Sequence, residues 1–465
     1  MDTQLIEEAA LEGTLRAALR AGGDFAEVFA EDRRGSSGRF DDGRVEELTS
    51  GRSRGAGIRV VRGDTTGFAH TADLTETGLG EAAEAAAAAA RGGGGGVREI
   101  ALTRQPSAPH EIAVLPESVP KARKVELLRV AEAAARAEGS AIRSVTAAYA
   151  DSRRRILVAN SDGLLTGDDQ VRTRFMVHSV ASGDTGMQTA HEGPGRTLGF
   201  EYFDEFDVAE IARISARRAI AMLDAQPAPS GSLPIVLAKG AGAVLFHEAC
   251  GHGLEADLVQ RAASVFAGKV GEQVASPLVT LIDDGTYARE WGTYAVDDEG
   301  RPAQRNVLIE NGVLNDYMWD YLRARKSGRA SSGNGRRETY QHLPMVRMTN
   351  TFLVPGTTDP DDIVRDTDHG IYCVQLGGGQ VNTATGDFVF GITEAYLIEH
   401  GEITHPIRAA QLIGNGPETL HRIDVVGNDF DTWTGTCGKN GQGVPVSSGQ
   451  PTLRVTGITV GGTAA

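Results

Sequence analysis

Residues 226–257 read QPAPSGSLPIVLAKGAGAVLFHEACGHGLEAD, and the reading of this stretch divides the chain. Its opening combines Pro227, Pro229, Ser230 and Gly231, which suit neither a helix interior nor a central strand, so residues 226–231 are expected to form a linker. Pro234-Ile235-Val236-Leu237-Ala238 then supplies a short apolar, β-branched run, the first strand of a new domain. After it, an apolar helical start at residue 240 leads into His247-Glu248 and His252. The expected fold class is α+β. An N-terminal domain of mixed strands and helices, residues 1–228, precedes a β-rich C-terminal domain, residues 229–465, that carries the histidine motif.

Toward the N-terminus, residues 5–21 place Leu5, Ala9, Leu11, Leu15 and Leu19 near helical spacing. Residues 25–30 and 56–62 are short extended runs broken by glycines. Residues 81–91 are nearly all alanine, the strongest helix former, and the glycines at 92–96 end that helix in a flexible surface loop. Pro120 opens a further helix with Val125, Leu128, Ala131 and Ala135 on one face. Residues 145–150, 155–160 and 170–181 are strand candidates, with a turn at Asn160-Ser161-Asp162-Gly163, and residues 207–223 are helical. Beyond Leu258, short strand candidates alternate with Asp284-Gly285, Glu299-Gly300, Asn311-Gly312, residues 377–379 and Gly386-Asp387. The glycines there are read as turns on a β-rich domain.

The chain holds 59 glycines in 465 residues, well above the usual ~7%, but no Gly-x-y period. Lys and Arg number 46 against 62 Asp and Glu, and 46 − 62 gives a net charge of −16, the wrong sign for a chain that grips a nucleic-acid backbone. Three scattered cysteines, Cys250, Cys373 and Cys437, make no disulfide framework. The N-terminus is acidic where a secretory signal is basic. No run approaches the roughly 20 apolar residues of a membrane span. A reducing, cytoplasmic setting is therefore expected, with neither nucleic acid nor membrane as partner.

The motif His247-Glu248-Ala249-Cys250-Gly251-His252 resembles the HExxH pattern of zinc peptidases with one residue added. On a straight helix, residues five apart point about 140° apart, so the two imidazoles diverge unless the helix kinks, bulges or ends at Gly251 and Gly253. If they meet, a divalent ion of the zinc type suits them, and Glu248 becomes the candidate general base for water. A third ligand is then needed. Cys250, Glu255, Asp257 and a distant residue are the alternatives, and Cys437, in the glycine-rich loop Gly435-Thr436-Cys437-Gly438-Lys439 whose glycines permit close approach, is the more attractive donor, with Lys439 as a support for its thiolate. Glu255 and Asp257 are candidates to accept an imidazole N–H. Arg337, Tyr340 and His342 are candidates to stabilise an oxyanion. The glycines at 377–379 lack the Lys-Ser/Thr pair of a phosphate cradle and are read as backbone exposed to a substrate strand.

The segment from His247 through Asp257 is similar to the TldD branch of the TldD/PmbA peptidase family. So are Ser264-Val265-Phe266-Ala267-Gly268, Asp283-Asp284-Gly285, Arg337-Glu338-Thr339-Tyr340, Arg347-Met348-Thr349-Asn350-Thr351, and Cys437-Gly438-Lys439 with Gln450-Pro451-Thr452-Leu453. The resemblance runs from about residue 235 to the end and is only an outline before that. It implies a Zn2+ peptidase with His247, His252 and Cys437 as metal ligands and Glu248 as catalytic base. It implies an unfolded, extended peptide as substrate, leader peptides included, and a PmbA/TldE-like partner subunit or a homodimer. The alternative is a non-catalytic peptide-binding or partner subunit with a structural metal.

Overall fold

The structure is a computed structural model, and it describes residues 5–90, 99–184 and 186–462. The glycines at 92–96 lie outside the described residues. The N-terminal half is built on one antiparallel sheet ordered Thr65–Thr71, Arg44–Arg62, Phe25–Asp41, Ile142–Asn160 and Leu164–Gly183. These strands are much longer than the runs at 25–30, 56–62, 145–150 and 155–160. Their polar middles are stitched by cross-strand ion pairs: Asp32 accepts Arg52 Nε at 2.8 Å and a guanidinium nitrogen of the same residue at 2.7 Å, and Arg155 as well.

The apolar ends of the same strands hold the helices. Glu8–Leu19 and Glu76–Ala89 pack Leu11, Leu15, Leu79 and Ala83 on Val28 and Ile58. Lys121–Arg136 and Val208–Ala221 pack Leu128, Ala131 and Ala212 on Val145 and Phe175 at the other end. Thr75 and Asp207 cap two of these helices, accepting from Gly78 N at 3.3 Å and Ala209 N at 2.8 Å, which satisfies amide groups that have no partner within the helix.

The C-terminal half contains two larger sheets. In the first, His369–Val381, Gly231–Leu237, Leu453–Gly461, Gln411–Asn415 and Asp387–Glu399 follow one another, and the last pairs back with the first, closing a ring. The second is ordered Val313–Leu314, Arg305–Glu310, Leu281–Asp284, Asn350–Leu353, Gln442–Gln450 and Asp431–Lys439, which leaves Asp431–Lys439 at an edge. Two expectations are corrected here. Gln226 and Pro227 are not free tether, because they pair with Ile407 and Arg408. Residues 377–379 are not a turn but the bulged interior of a strand, where a side chain on Gly379 would run into the Phe390 ring.

The two halves meet through buried charge. Arg59 bridges Glu27 at 2.6 Å and Glu299 at 2.7 Å, Arg337 binds Glu27, and Arg154 joins Glu31 to Asp298 at 2.8 Å each. No helix among the described residues is long and apolar enough to cross a membrane.

Candidate metal centre

The helix that opens at Val244 does not continue as an α-helix. Residues His247–Gly251 form a single π turn, and His252–Leu254 follow as a 3₁₀ turn. The His252 amide donates to the His247 carbonyl, a five-residue bond. A π turn carries that spacing, so the added residue is absorbed as a bulge and the two histidines return to one face. Their rings stand 5.1 Å apart, nearly perpendicular at 85°. Gly251 keeps an ordinary right-handed φ of −53°, so its glycine identity is not required by backbone angle. A side chain there would meet Met348 Sδ, and one on Gly253 would sit 2.8 Å from the Phe266 ring. The glycines let the bulge pack rather than let it bend.

Cys437 reaches the pair from the edge strand Asp431–Lys439, with its Sγ 3.4 Å from His252 Nε2. One donor atom each from His247, His252 and Cys437 lies within 4.8 Å of the others. Tetrahedral zinc holds its nitrogen and sulfur ligands about 3.3 to 3.6 Å apart, so the His252–Cys437 separation already matches. Two imidazoles and a thiol are a zinc donor set, and the buried His247 Nδ1 has no hydrogen-bond partner among the described residues. The residues fit the ion.

The surroundings prepare these donors. Glu255 Oε2 lies 3.0 Å from His252 Nδ1, and Lys439 Nζ lies 2.9 Å from the same oxygen and 2.7 Å from Asp257. Burial alone would raise the Glu255 carboxyl, but His252 and Lys439 override it and bring it down to about 2. An ionised Glu255 only accepts hydrogen bonds, so Nδ1 carries a proton toward it and Nε2, facing Cys437, is the atom through which His252 would hold an ion in place of a proton. Burial opposes charging of His252, but Glu255 and Cys437 hold its imidazole well above the ordinary range. Burial opposes ionisation of Cys437 too, yet the His247 and His252 imidazoles hold its thiol well below the ordinary range. Arg347, wholly buried, anchors the Cys437 carbonyl.

The structure thus brings His247, His252, Cys437 and Glu255 together, with Glu248 Oε2 3.9 Å from His252 Nε2. Other candidates fall elsewhere. Cys250 turns its Sγ to the Phe246 carbonyl at 2.9 Å, and burial pushes its thiol up to about 12. Asp257 binds Lys439 rather than an imidazole. Lys439 serves the two carboxylates and the Val346 carbonyl, not the thiolate. Arg337 is locked to Glu27, Tyr340 packs beneath Gly55, and His342 bonds Thr339, so none of the three lines the cleft.

Two cavities flank the donors. One, about 400 Å³, includes Asp257, Arg261, Gln380 and Lys439. The other, about 350 Å³, includes Trp433, Leu376, Arg174 and His191. Glu248 and Gly438 border both. Arg174 and His191 come from the N-terminal sheet and were missed in the sequence, where no local pattern links them to the histidine motif.

Residues 26–90, 115–223 and 230–462 match, in order, PmbA/TldA metallopeptidase domain 1, the central domain and the C-terminal domain. The chain belongs to the PmbA/TldD metallopeptidase family. It is 39% identical over 460 residues to the metalloprotease TldD homolog of Haemophilus influenzae, covering 95% of this chain and 93% of the relative. A zinc metalloprotease TldD homolog of Saccharolobus solfataricus is 31% identical over 56% of this chain and 58% of its own. The crystal structure of TldE from Thermococcus kodakarensis shares the fold, with a TM-score of 0.78 at 21% identity over 97% of this chain and 99% of that one.

Proposed function

We propose that the chain is a zinc-dependent peptidase acting on extended, unfolded peptides, with His247, His252 and Cys437 as ligands and Glu248 as general base. The observation that carries this reading is the convergence of the three donor atoms within 4.8 Å, beside a carboxylate that borders both cavities. Zinc, when bound, supplies a Lewis acid that polarises the scissile carbonyl and acidifies water. Glu248 takes the proton from the attacking water and returns it to the leaving nitrogen. Its 3.9 Å approach to His252 Nε2 supports that role.

Two strand edges support an extended substrate. Beyond Cys373, strand His369–Val381 has a paired strand on one side only among the described residues, and its residues 376–378 line one cavity while Gln380 and Val381 line the other. Across the cleft runs the edge strand Asp431–Lys439. A peptide pairing through its main chain is read with little regard to sequence, and leader removal falls within that substrate class. The likeness to a TldE structure supports assembly with a TldE-like subunit, a second copy being the alternative. Replacing Glu248 by Ala is expected to abolish cleavage of an unfolded peptide, by at least about 100-fold, while zinc measured on the purified variant stays near one per chain. Retained cleavage overturns the assignment of the base, and a wild-type chain without zinc favours a non-catalytic partner subunit.

A further inference from the structure

Arg174 is the charged residue that the N-terminal sheet contributes to the 350 Å³ cavity beside Cys437. It is half-buried on strand Leu164–Gly183. Its Nε donates to the Gly193 carbonyl at 3.1 Å, one terminal nitrogen reaches the Thr434 carbonyl at a long 3.5 Å, and its guanidinium lies 5.9 Å from the centre of the Trp291 ring. No carboxylate is within ion-pair range of it among the described residues. Nearby arginines differ: Arg218 pairs with Glu192 and Glu394, and Arg196 with Glu290. Arg336 and Arg347 also bond carbonyl groups, but they are buried and line neither cavity at the metal centre.

A guanidinium has five N–H donors in a planar fork matched to a carboxylate. Arg174 directs two of its nitrogens to neutral carbonyls and meets no carboxylate among the described residues. Removing such a cation from water without an opposite charge is unfavourable, and burial holds it below the ordinary arginine range. The cavity is also lined by Trp433, Leu376 and the strand glycines, with the exposed His191 ring edge-on to Trp433 at 5.8 Å. Its acidic groups, Glu248 and Cys437, belong to the candidate metal centre, and Glu248 makes no ion pair with Arg174 among the described residues. A group entering that space that carried a carboxylate would supply the missing partner.

We infer that Arg174 is a specificity-determining residue that receives a carboxylate of the substrate peptide in the cavity beside Cys437. The inference rests on the peptidase reading above and adds a preference to it. Main-chain pairing selects for extended shape; Arg174 selects one position by charge. The carboxylate comes either from an Asp or Glu side chain or from the peptide's own C-terminus.

The test is binding without turnover. Zinc-loaded Glu248→Gln protein is titrated by fluorescence anisotropy with labelled peptides of one unfolded sequence. One is neutral and amidated, one has a free C-terminus, and a set carries Glu stepped through successive positions of the amidated form. A carboxylate peptide is expected to bind at least tenfold tighter than the neutral one, against the chain's own charge of −16, and the winning peptide identifies the source. In Glu248→Gln/Arg174→Gln protein that ratio is expected to fall to within twofold of unity, and Arg174→Lys in its place is expected to recover part of it. Equal binding of all peptides overturns the inference and leaves the peptidase reading standing. A ratio unchanged by Arg174→Gln, with every peptide weakened alike, shows a structural role and also overturns it. Failure to bind any peptide overturns both readings.

Discussion

The candidate metal centre and the interface between the two halves bury polar groups to a similar degree and use them in opposite ways. At the interface, Glu27, Glu31, Asp298 and Glu299 each meet an arginine, so charge is cancelled within the protein and the result is a joint. At the centre, His252 is fixed through Nδ1 while Nε2 faces Cys437, and His247 Nδ1 has no partner among the described residues. Donor atoms are oriented but not neutralised by arginine or lysine, the arrangement of a site open to an ion. Burial by itself therefore says nothing about function; what separates the two regions is whether the polar groups find their partners inside the chain.

Substitutions can break this contrast. The largest effect is expected from Cys437→Ala, which removes a donor. Zinc falls from one per chain toward none and cleavage is lost, while the stability of the chelated protein in urea changes by about 1 kcal/mol or less. Glu27→Ala is the reverse case. It strips Arg337 of its carboxylate and is expected to lower unfolding free energy by about 3–5 kcal/mol, with zinc content retained in the folded fraction. A Cys437 variant that unfolds, or a Glu27 variant as stable as wild type, would erase the distinction.

A smaller effect sharpens it. Glu255 belongs to both kinds of arrangement, ion-paired to Lys439 yet orienting a donor. Glu255→Gln is expected to weaken zinc about 10- to 100-fold in a chelator competition. The smallest effect concerns Asp32, neighbour of Glu31 on the other face of the sheet. Its side-chain hydrogen bonds to Arg52, joined by those to Arg155, hold its carboxyl down to about 2. A depressed carboxyl stabilises above its unfolded value and loses that contribution as pH falls through its folded one. Stability is thus expected to drop between about pH 4 and pH 2, by about 1 kcal/mol once the half-exposed Arg52 is allowed for. Asp32→Asn should remove that component from the acid unfolding curve.

The sequence disclosed the centre better than its walls. Local spacing named His247, His252 and Glu248, and the resemblance supplied Cys437, because these lie in compact motifs. Arg174 and His191 sit on a different sheet, and only the packing of the halves brings them to the cleft. The α+β class was legible from apolar strand ends and alanine-rich helices. The length of strands Phe25–Asp41 and Ile142–Asn160 was not, since Arg33, Arg34, Ser36 and residues 153–155 interrupt the alternation that marks a half-buried strand. Ion pairs across strands do there what side-chain burial does elsewhere, and they leave no periodic signature.

The π turn at His247–Gly251 also ties chain length to backbone geometry. Deleting Ala249 or Cys250 would leave the histidines four apart, a spacing that an unbulged α-helix sets within about 40° on one face, so the added residue and the bulge can disappear together. A further inserted residue with no bulge to absorb it would instead turn His252 and all that follows, Leu254 and Glu255 included, by about 100° around the axis. That change would keep every donor in the composition and still scatter the centre.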